Sequence, residues 1–317
     1  MKLSLIVPCY NEQENVERFF NACESAFKNK IESYEIIFIN DGSGDNTWHE
    51  LKKLYSLKTS NIKLINFSRN FGKESAMYAG LKAACGEYVT IIDADLQQRP
   101  ELAAEMVEFL ETNEDYDCVA AYQQKRCEGK LMSICKNMFY KIINMVCEID
   151  FKSSASDFRT LRKNVVSAIL EMKEYYRFSK GIFSWVGFNT YYMPYDADQR
   201  TAGSSTWSVG KLIKYACEGF VSFTTFPLKI ATFIGSLLSV CSLIYMITVI
   251  IQKLCFGNDV PGYPTIVVLI LLIGGIQLIT LGIIGEYIAH IYIEGKRRPI
   301  YITKEYLTYE EAEHDDK

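Results

Sequence analysis

The stretch Asp93-Ala94-Asp95 ends a run of strand-forming residues, Tyr88-Val89-Thr90-Ile91-Ile92. Two carboxylates at i and i+2 on an extended chain point to the same side. Close together they repel, and each disfavours ionisation of the other. Such a pair calls for a counter-charge, and a divalent cation with oxygen ligands suits it. A solvated Asp-x-Asp turn has the same spacing, so the rest of the chain must decide. Lys73 offers a second clue. It opens a helical stretch just after Gly72, where backbone N–H groups and the helix dipole favour anions. With a metal on Asp93 and Asp95, the natural guest beside Lys73 is a diphosphate. A solvated lysine at a helix start satisfies the same pattern.

The elements that must position these groups are legible as alternating runs. Apolar runs cover 3–7, 34–39, 62–67, 88–92 and 118–121. Helical stretches at 12–28, 47–57 and 73–84 lie between the first four, and one at 101–111 precedes the fifth. Strand–helix alternation predicts a parallel sheet with helices on both faces. Ligands of such sheets bind beyond the carboxyl ends of the strands. The polar clusters fall at those ends: Pro8-Cys9-Tyr10-Asn11-Glu12, Asn40-Asp41-Gly42-Ser43, Ser68-Arg69-Asn70-Phe71-Gly72-Lys73 and Asp93-Ala94-Asp95. Four clusters at four strand ends make one site. No G-x-G-x-x-G loop follows the first strand, and there is no Walker P-loop.

Composition narrows the class. The formal net charge is −4, which gives no basic signature for nucleic acid. The ten cysteines contain no C-x-x-C, and His49, His290 and His314 are scattered, so a zinc site is not expected. Scattered thiols without a secretory signal fit a reducing compartment, because the first apolar run stops at Pro8.

Two long apolar runs stand apart, at 228–251 and 265–284, with Lys229 their one charge. Each is long enough to span a bilayer and neither has an amphipathic face. Two buried helices of a soluble protein are the alternative. Ala231, Gly235 and Ser239 form a row of small residues that lets helices pack closely in lipid. Lys211, Lys214 and Lys229 precede or open the first run, and Lys296, Arg297 and Arg298 follow the second. The positive-inside rule then puts both ends in the cytoplasm. Within 208–223, Val209, Leu212, Ile213, Ala216, Phe220 and Val221 share one helical face, which fits an interfacial helix or one packed on a protein core. The acidic tail 310–317 reads as disordered.

Taken together, these residues resemble family 2 glycosyltransferases of GT-A fold. Within them the match is to the polyisoprenyl-phosphate glycosyltransferases, such as bacterial bactoprenol glucosyltransferases and, more remotely, dolichol-phosphate mannose synthase. The likeness rests on the four strand-end clusters, on Glu74 after Lys73 and on Leu96-Gln97 after Asp95. It continues through Ser156-Asp157-Phe158-Arg159, Arg177-Phe178 with Gly181 and Trp185-Val186-Gly187-Phe188, and Arg200-Thr201-Ala202-Gly203-Ser204-Ser205-Thr206-Trp207. Gly285-Glu286-Tyr287, Tyr292 and Arg298-Pro299 complete it. Lys180 stands where the family usually has Arg, and Ala289-His290 replaces a common Gly-Arg.

The resemblance implies a division of labour. Pro8, Tyr10 and Glu12 frame the nucleoside, Asp41 contacts the base, and Lys73 and Ala94 line the nucleotide site. Asp93 and Asp95 hold Mg2+ or Mn2+ on the donor diphosphate, with Asp95 counted as catalytic. Asp157 is the acceptor's base or its positioning carboxylate. A phosphate monoester is already largely dianionic at pH 7, so Asp157 need not remove a proton. Arg159, Arg177, Lys180, Arg200 and Ser205 are the groups for the acceptor phosphate, and each of these cations could instead be a surface charge. The implied reaction moves one sugar, glucose by resemblance, from a UDP-sugar to undecaprenyl or another polyprenyl phosphate, with inversion. UDP-GlcNAc, UDP-GalNAc and GDP-mannose are the alternative donors, and a non-catalytic nucleotide-binding membrane scaffold is the alternative class. The expected organisation is an α/β GT-A domain at 1–207, an interfacial helix at 208–227, two membrane helices near 228–252 and 264–287 within 228–290, and a cytoplasmic segment at 291–317. Membrane lipids and further copies of the chain, as a tetramer, are the implied partners.

Overall fold

A computed structural model describes residues 1–28, 30–57, 61–123, 155–195, 224–256 and 262–308. The elements β1 (Leu3–Cys9), β2 (Tyr34–Asn40), β3 (Ile62–Phe67) and β4 (Tyr88–Ile91) alternate with α1 (Val16–Phe27), α2 (Thr47–Ser56) and α3 (Lys73–Ala83). α4 (Pro100–Thr112) then leads to β5 (Cys118–Gln123). Next come β6 (Ala155–Arg162), α5 (Lys163–Glu171), α6 (Ser179–Trp185) and β7 (Thr190–Tyr195). Two long helices, α7 (Phe226–Phe256) and α8 (Tyr263–Gly295), precede β8 (Thr303–Leu307). The interfacial-helix segment 208–223, the loop 200–207 and the tail 309–317 lie outside the described residues.

The strands form one sheet in the order β7-β5-β6-β4-β1-β2-β3-β8. Its centre, β4-β1-β2-β3, is parallel. These strands are apolar on both sides because helices cover both sides. On one face, Leu5, Val7, Phe38 and Phe158 pack with Phe19 of α1 and Leu102 and Met106 of α4. Each fully buried phenylalanine or leucine of this kind contributes ~1.5–3 kcal/mol. α3 lies on the other face, against β1 and β2.

The flanks depart from the simple alternation. β5 does not join β4. β6 lies between them, antiparallel to both. Between them β6 (ASDFRTLR) buries Phe158, Thr160 and Leu161 fully, while Asp157 and Arg159 sit among them. At the opposite edge β8 pairs antiparallel with β3. The stretch read as a juxtamembrane segment thus returns to the sheet, held by a Lys52–Glu305 ion pair and by Tyr55 donating to the Thr308 carbonyl.

The chain divides into two compact units, one built on this sheet and one on α7 and α8. In the second, Phe226–Tyr245 and Leu272–Gly295 are long and apolar enough to cross a membrane. Their apolar side chains lie open in the isolated chain, Phe233 and Leu278 among them.

Candidate active site

β4 stops at Ile91, so Asp93 and Asp95 sit in a turn and not on the extended strand. The turn is held by its own side chains. Gln97 N–H donates to Asp95 Oδ1 at 3.2 Å, and Leu96 adopts φ +58°. A left-handed leucine costs about 1–2 kcal/mol, so the surrounding contacts must enforce it. Gln98, almost wholly buried, receives the Asp93 N–H on Oε1 at 3.1 Å and donates from Nε2 to Ser156 Oγ at 3.4 Å. Ser156 Oγ in turn accepts the Phe158 N–H. Gln98 therefore ties the Asp93 turn to the start of β6, beside Asp157. The sequence reading passed over it. Its adjacency to Asp93-Ala94-Asp95-Leu96-Gln97 was the available signal.

Lys73 joins the two halves of the site. Its Nζ lies 2.7 Å from Asp93 Oδ1 and 3.2 Å from Asp157 Oδ2. Burial pulls the ammonium's pKa down, but the two carboxylates outweigh it and hold the pKa above the usual lysine range. Burial likewise pushes Asp157 up, yet Lys73, Lys180 and Arg159 dominate and hold it at about 2. The other oxygen of Asp157, Oδ1, is buried without a hydrogen-bond partner among the described residues. Lys73 can take this place because Gly72 precedes it at φ +95°, a backbone turn that suits glycine, and so starts α3 at the carboxyl edge of the sheet.

Asp41 is turned inward. Its Oδ1 accepts the Phe71 N–H at 2.7 Å and its Oδ2 the Gly72 N–H at 3.0 Å. Burial raises its pKa to about 6 against the pull of those two N–H groups. The carboxylate clasps the loop that delivers Lys73. Gly42 lets the chain pass here, since a Cβ on it would lie 2.3 Å from the Arg69 carbonyl carbon at φ +62°. The same loop is braced from below by aromatic rings. Tyr301, just before β8, stacks on Phe67 with centroids 4.9 Å apart, and Phe67 meets Phe71 edge-on. Ser68 N–H donates to the Ile302 carbonyl.

The nucleoside-side residues gather at the ends of β1 and β2. Glu12 N–H donates to Thr47 Oγ1, Asn11 N–H to Ser43 Oγ, and Gly44 N–H to Asn11 Oδ1. Pro8 is half-buried, Tyr10 is exposed and Ala94 is buried. The cations divide. Arg159 is buried 3.6 Å over the Phe183 ring and donates from Nη2 to the Ser156 carbonyl, while its Nε has no partner among the described residues. Arg177 is buried over Tyr78 and donates to the Met172 carbonyl. Both are thus packed on interior partners of the sheet unit, and the charge of Arg159 also bears on Asp157. Lys180, on α6, is half-buried with its charge felt by Asp157. Glu74 fixes α6 by accepting from Ser179 N–H and Oγ, which places Lys180 relative to Lys73. Arg200 and Ser205 lie outside the described residues.

The donor set at Asp93 and Asp95 is hard oxygen, as Mg2+ or Mn2+ requires. Among the described residues no third histidine, cysteine or carboxylate completes a cluster, so the remaining ligands would be diphosphate oxygens and water. The residues fit such a cation in a substrate-completed site.

Residues 4–170 match the family described as Glycosyl transferase family 2, and residues 226–291 match the GtrB C-terminal hairpin. The chain is 42% identical over 308 residues to the uncharacterized glycosyltransferase sll0501 of Synechocystis, covering 96% of this chain and 95% of that protein. It is 40% identical over 304 residues to the bactoprenol glucosyl transferase of Shigella phage SfV, covering 96% and 98%. Among solved structures, glucosyl-3-phosphoglycerate synthase of Mycobacterium tuberculosis covers 68% of this chain and 75% of its own at TM-score 0.48 and 16% identity.

Proposed function

The chain belongs to glycosyltransferase family 2, and from that premise we propose that it transfers a single glucosyl group from UDP-glucose to undecaprenyl phosphate at the cytoplasmic face of a membrane. The observation that carries the reading is the Asp93–Lys73–Asp157 array at the carboxyl edge of the parallel strands. One lysine there bridges Asp93 and Asp157, which supports reading the first as a metal ligand and the second as the carboxylate that faces the acceptor. The acceptor and the sugar are suggested by the bactoprenol glucosyl transferase relatives, which match nearly end to end. The two apolar helices support a lipid-borne acceptor.

In this account a phosphate oxygen of the acceptor attacks the anomeric carbon while the bond to the diphosphate breaks, with inversion. The acceptor phosphate is dianionic near neutral pH. Asp157, held at about 2, stays ionised and orients the acceptor instead of taking its proton. Lys73 and Lys180 offset the phosphate charges that meet there. Asp93 and Asp95 would hold Mg2+ or Mn2+, which supplies charge stabilisation for the leaving diphosphate. Asp41 keeps the 68–72 loop closed on Lys73. The test is nucleotide release by the purified full chain with undecaprenyl phosphate and a panel of UDP-glucose, UDP-GlcNAc, UDP-GalNAc and GDP-mannose. Lipid-dependent release with UDP-glucose above the others is expected. Release indifferent to the lipid, or strongest with another donor, would refute the assignment.

A further inference from the structure

Lys73 holds its ammonium on the carboxylate that the metal would use. We propose that Lys73 is an internal competitor for the divalent cation: it screens Asp93 until a nucleoside diphosphate arrives, and it thereby makes metal binding depend on nucleotide. This deepens the reading above and rests on its metal site at Asp93 and Asp95.

The geometry carries the point. Nζ is 2.7 Å from Asp93 Oδ1, a full ion pair, and its second carboxylate partner, Asp157, is 3.2 Å away on β6. The lysine is therefore anchored from two elements. Its backbone is fixed as well, at the first turn of α3, behind a loop that Asp41 clasps through two N–H bonds. A divalent ion on Asp93 would sit a few ångströms from this ammonium, and like charges at that range repel strongly in a half-buried site. The aspartate pair alone carries two negative charges, and Lys73 already offsets one of them at Asp93. A diphosphate changes the balance. It brings negative oxygens that can receive the ammonium and ligate the ion together. Asp157 offers the lysine a retained partner, so Lys73 need only release Asp93 and not leave the site. Metal and nucleotide then favour each other's binding by the same factor, as linkage requires.

The experiment is titration of Mn2+ into the full-length protein in detergent, followed by calorimetry and by the loss of free Mn2+ electron paramagnetic resonance signal. It is run on wild type, Lys73→Gln and Lys73→Arg, each without nucleotide and with saturating UDP, and repeated with GDP. Lys73→Gln should bind Mn2+ at least tenfold more tightly than wild type without nucleotide. Its gain in Mn2+ affinity on adding UDP should be correspondingly smaller. Lys73→Arg keeps the charge and should retain the weak binding of wild type, which separates a charge effect from a damaged fold. Mn2+ affinity in Lys73→Gln equal to or below wild type, with nucleotide-dependent binding intact in both, would overturn the inference while leaving the metal reading in place. Absence of Mn2+ binding to all three proteins even with UDP or GDP would instead overturn the metal site itself, and the inference with it.

Discussion

Replacing Asp157 by asparagine separates a positioning carboxylate from a general base. The acceptor phosphate has a second pKa near 6, and Asp157 is held at about 2 by the lysines and arginine around it. Moving a proton from the one to the other is uphill by about four powers of ten, or ~5 kcal/mol, which makes Asp157 a poor proton acceptor. Asp157→Asn should therefore lower kcat/KM by a factor that stays constant from pH 5.5 to 8.5. The same structure sets a stability effect. The native carboxylate's pKa lies below its ordinary 3.8, so its contribution is present above about pH 4 and lost as the pH falls through about 2. The drop corresponds to about 2 kcal/mol. The variant should be less stable than wild type by about that much at pH 7, and the gap should close below about pH 2. The assays are undecaprenyl-phosphate kinetics across the pH range and denaturant unfolding of the full chain. A kinetic deficit that vanishes above pH 6 would restore the general base and refute the positioning argument.

Asp95→Asn should abolish transfer while the protein still folds and inserts, and excess EDTA should do the same to wild type; full turnover in either case contradicts the metal assignment. Tyr301→Ala removes the ring stacked on Phe67 and should destabilise the sheet unit by about 1–3 kcal/mol while raising KM for the donor. Tyr301→Phe keeps the ring and should restore both. In a cysteine-free background, Asn258→Cys should label from outside intact cells and Glu311→Cys should not; the reverse pattern would invert the membrane orientation.

The central strands and their polar ends were legible because a buried parallel sheet needs unbroken apolar runs, and turn residues mark where they stop. The Asp93-Ala94-Asp95 pair was expected on the extended strand, whereas β4 ends at Ile91 and the pair lies in the turn that follows. β6 was not, since a strand carrying Ser156, Asp157 and Arg159 is defined by its pairing with β4 and β5 and not by its composition. β8 escaped similarly. Its Thr-Lys-Glu-Tyr-Leu sequence becomes a strand because β3 has an open edge beside it. For Lys73 the helix start was readable, but its partners lie 20 and 84 residues on. No local pattern reports a contact of that range. Arg177 is the converse case, an arginine whose motif suggests a phosphate and whose side chain is packed over Tyr78.

The most direct test of the account is the product itself. Purified full-length protein is incubated with undecaprenyl phosphate, UDP-glucose and Mg2+ or Mn2+, and the lipid fraction is analysed by mass spectrometry and NMR. The account predicts one hexose per lipid phosphate, in the anomeric configuration opposite to that of the donor, with none formed in EDTA. Free glucose without glycolipid, a retained anomeric configuration, or an elongating sugar chain would contradict it.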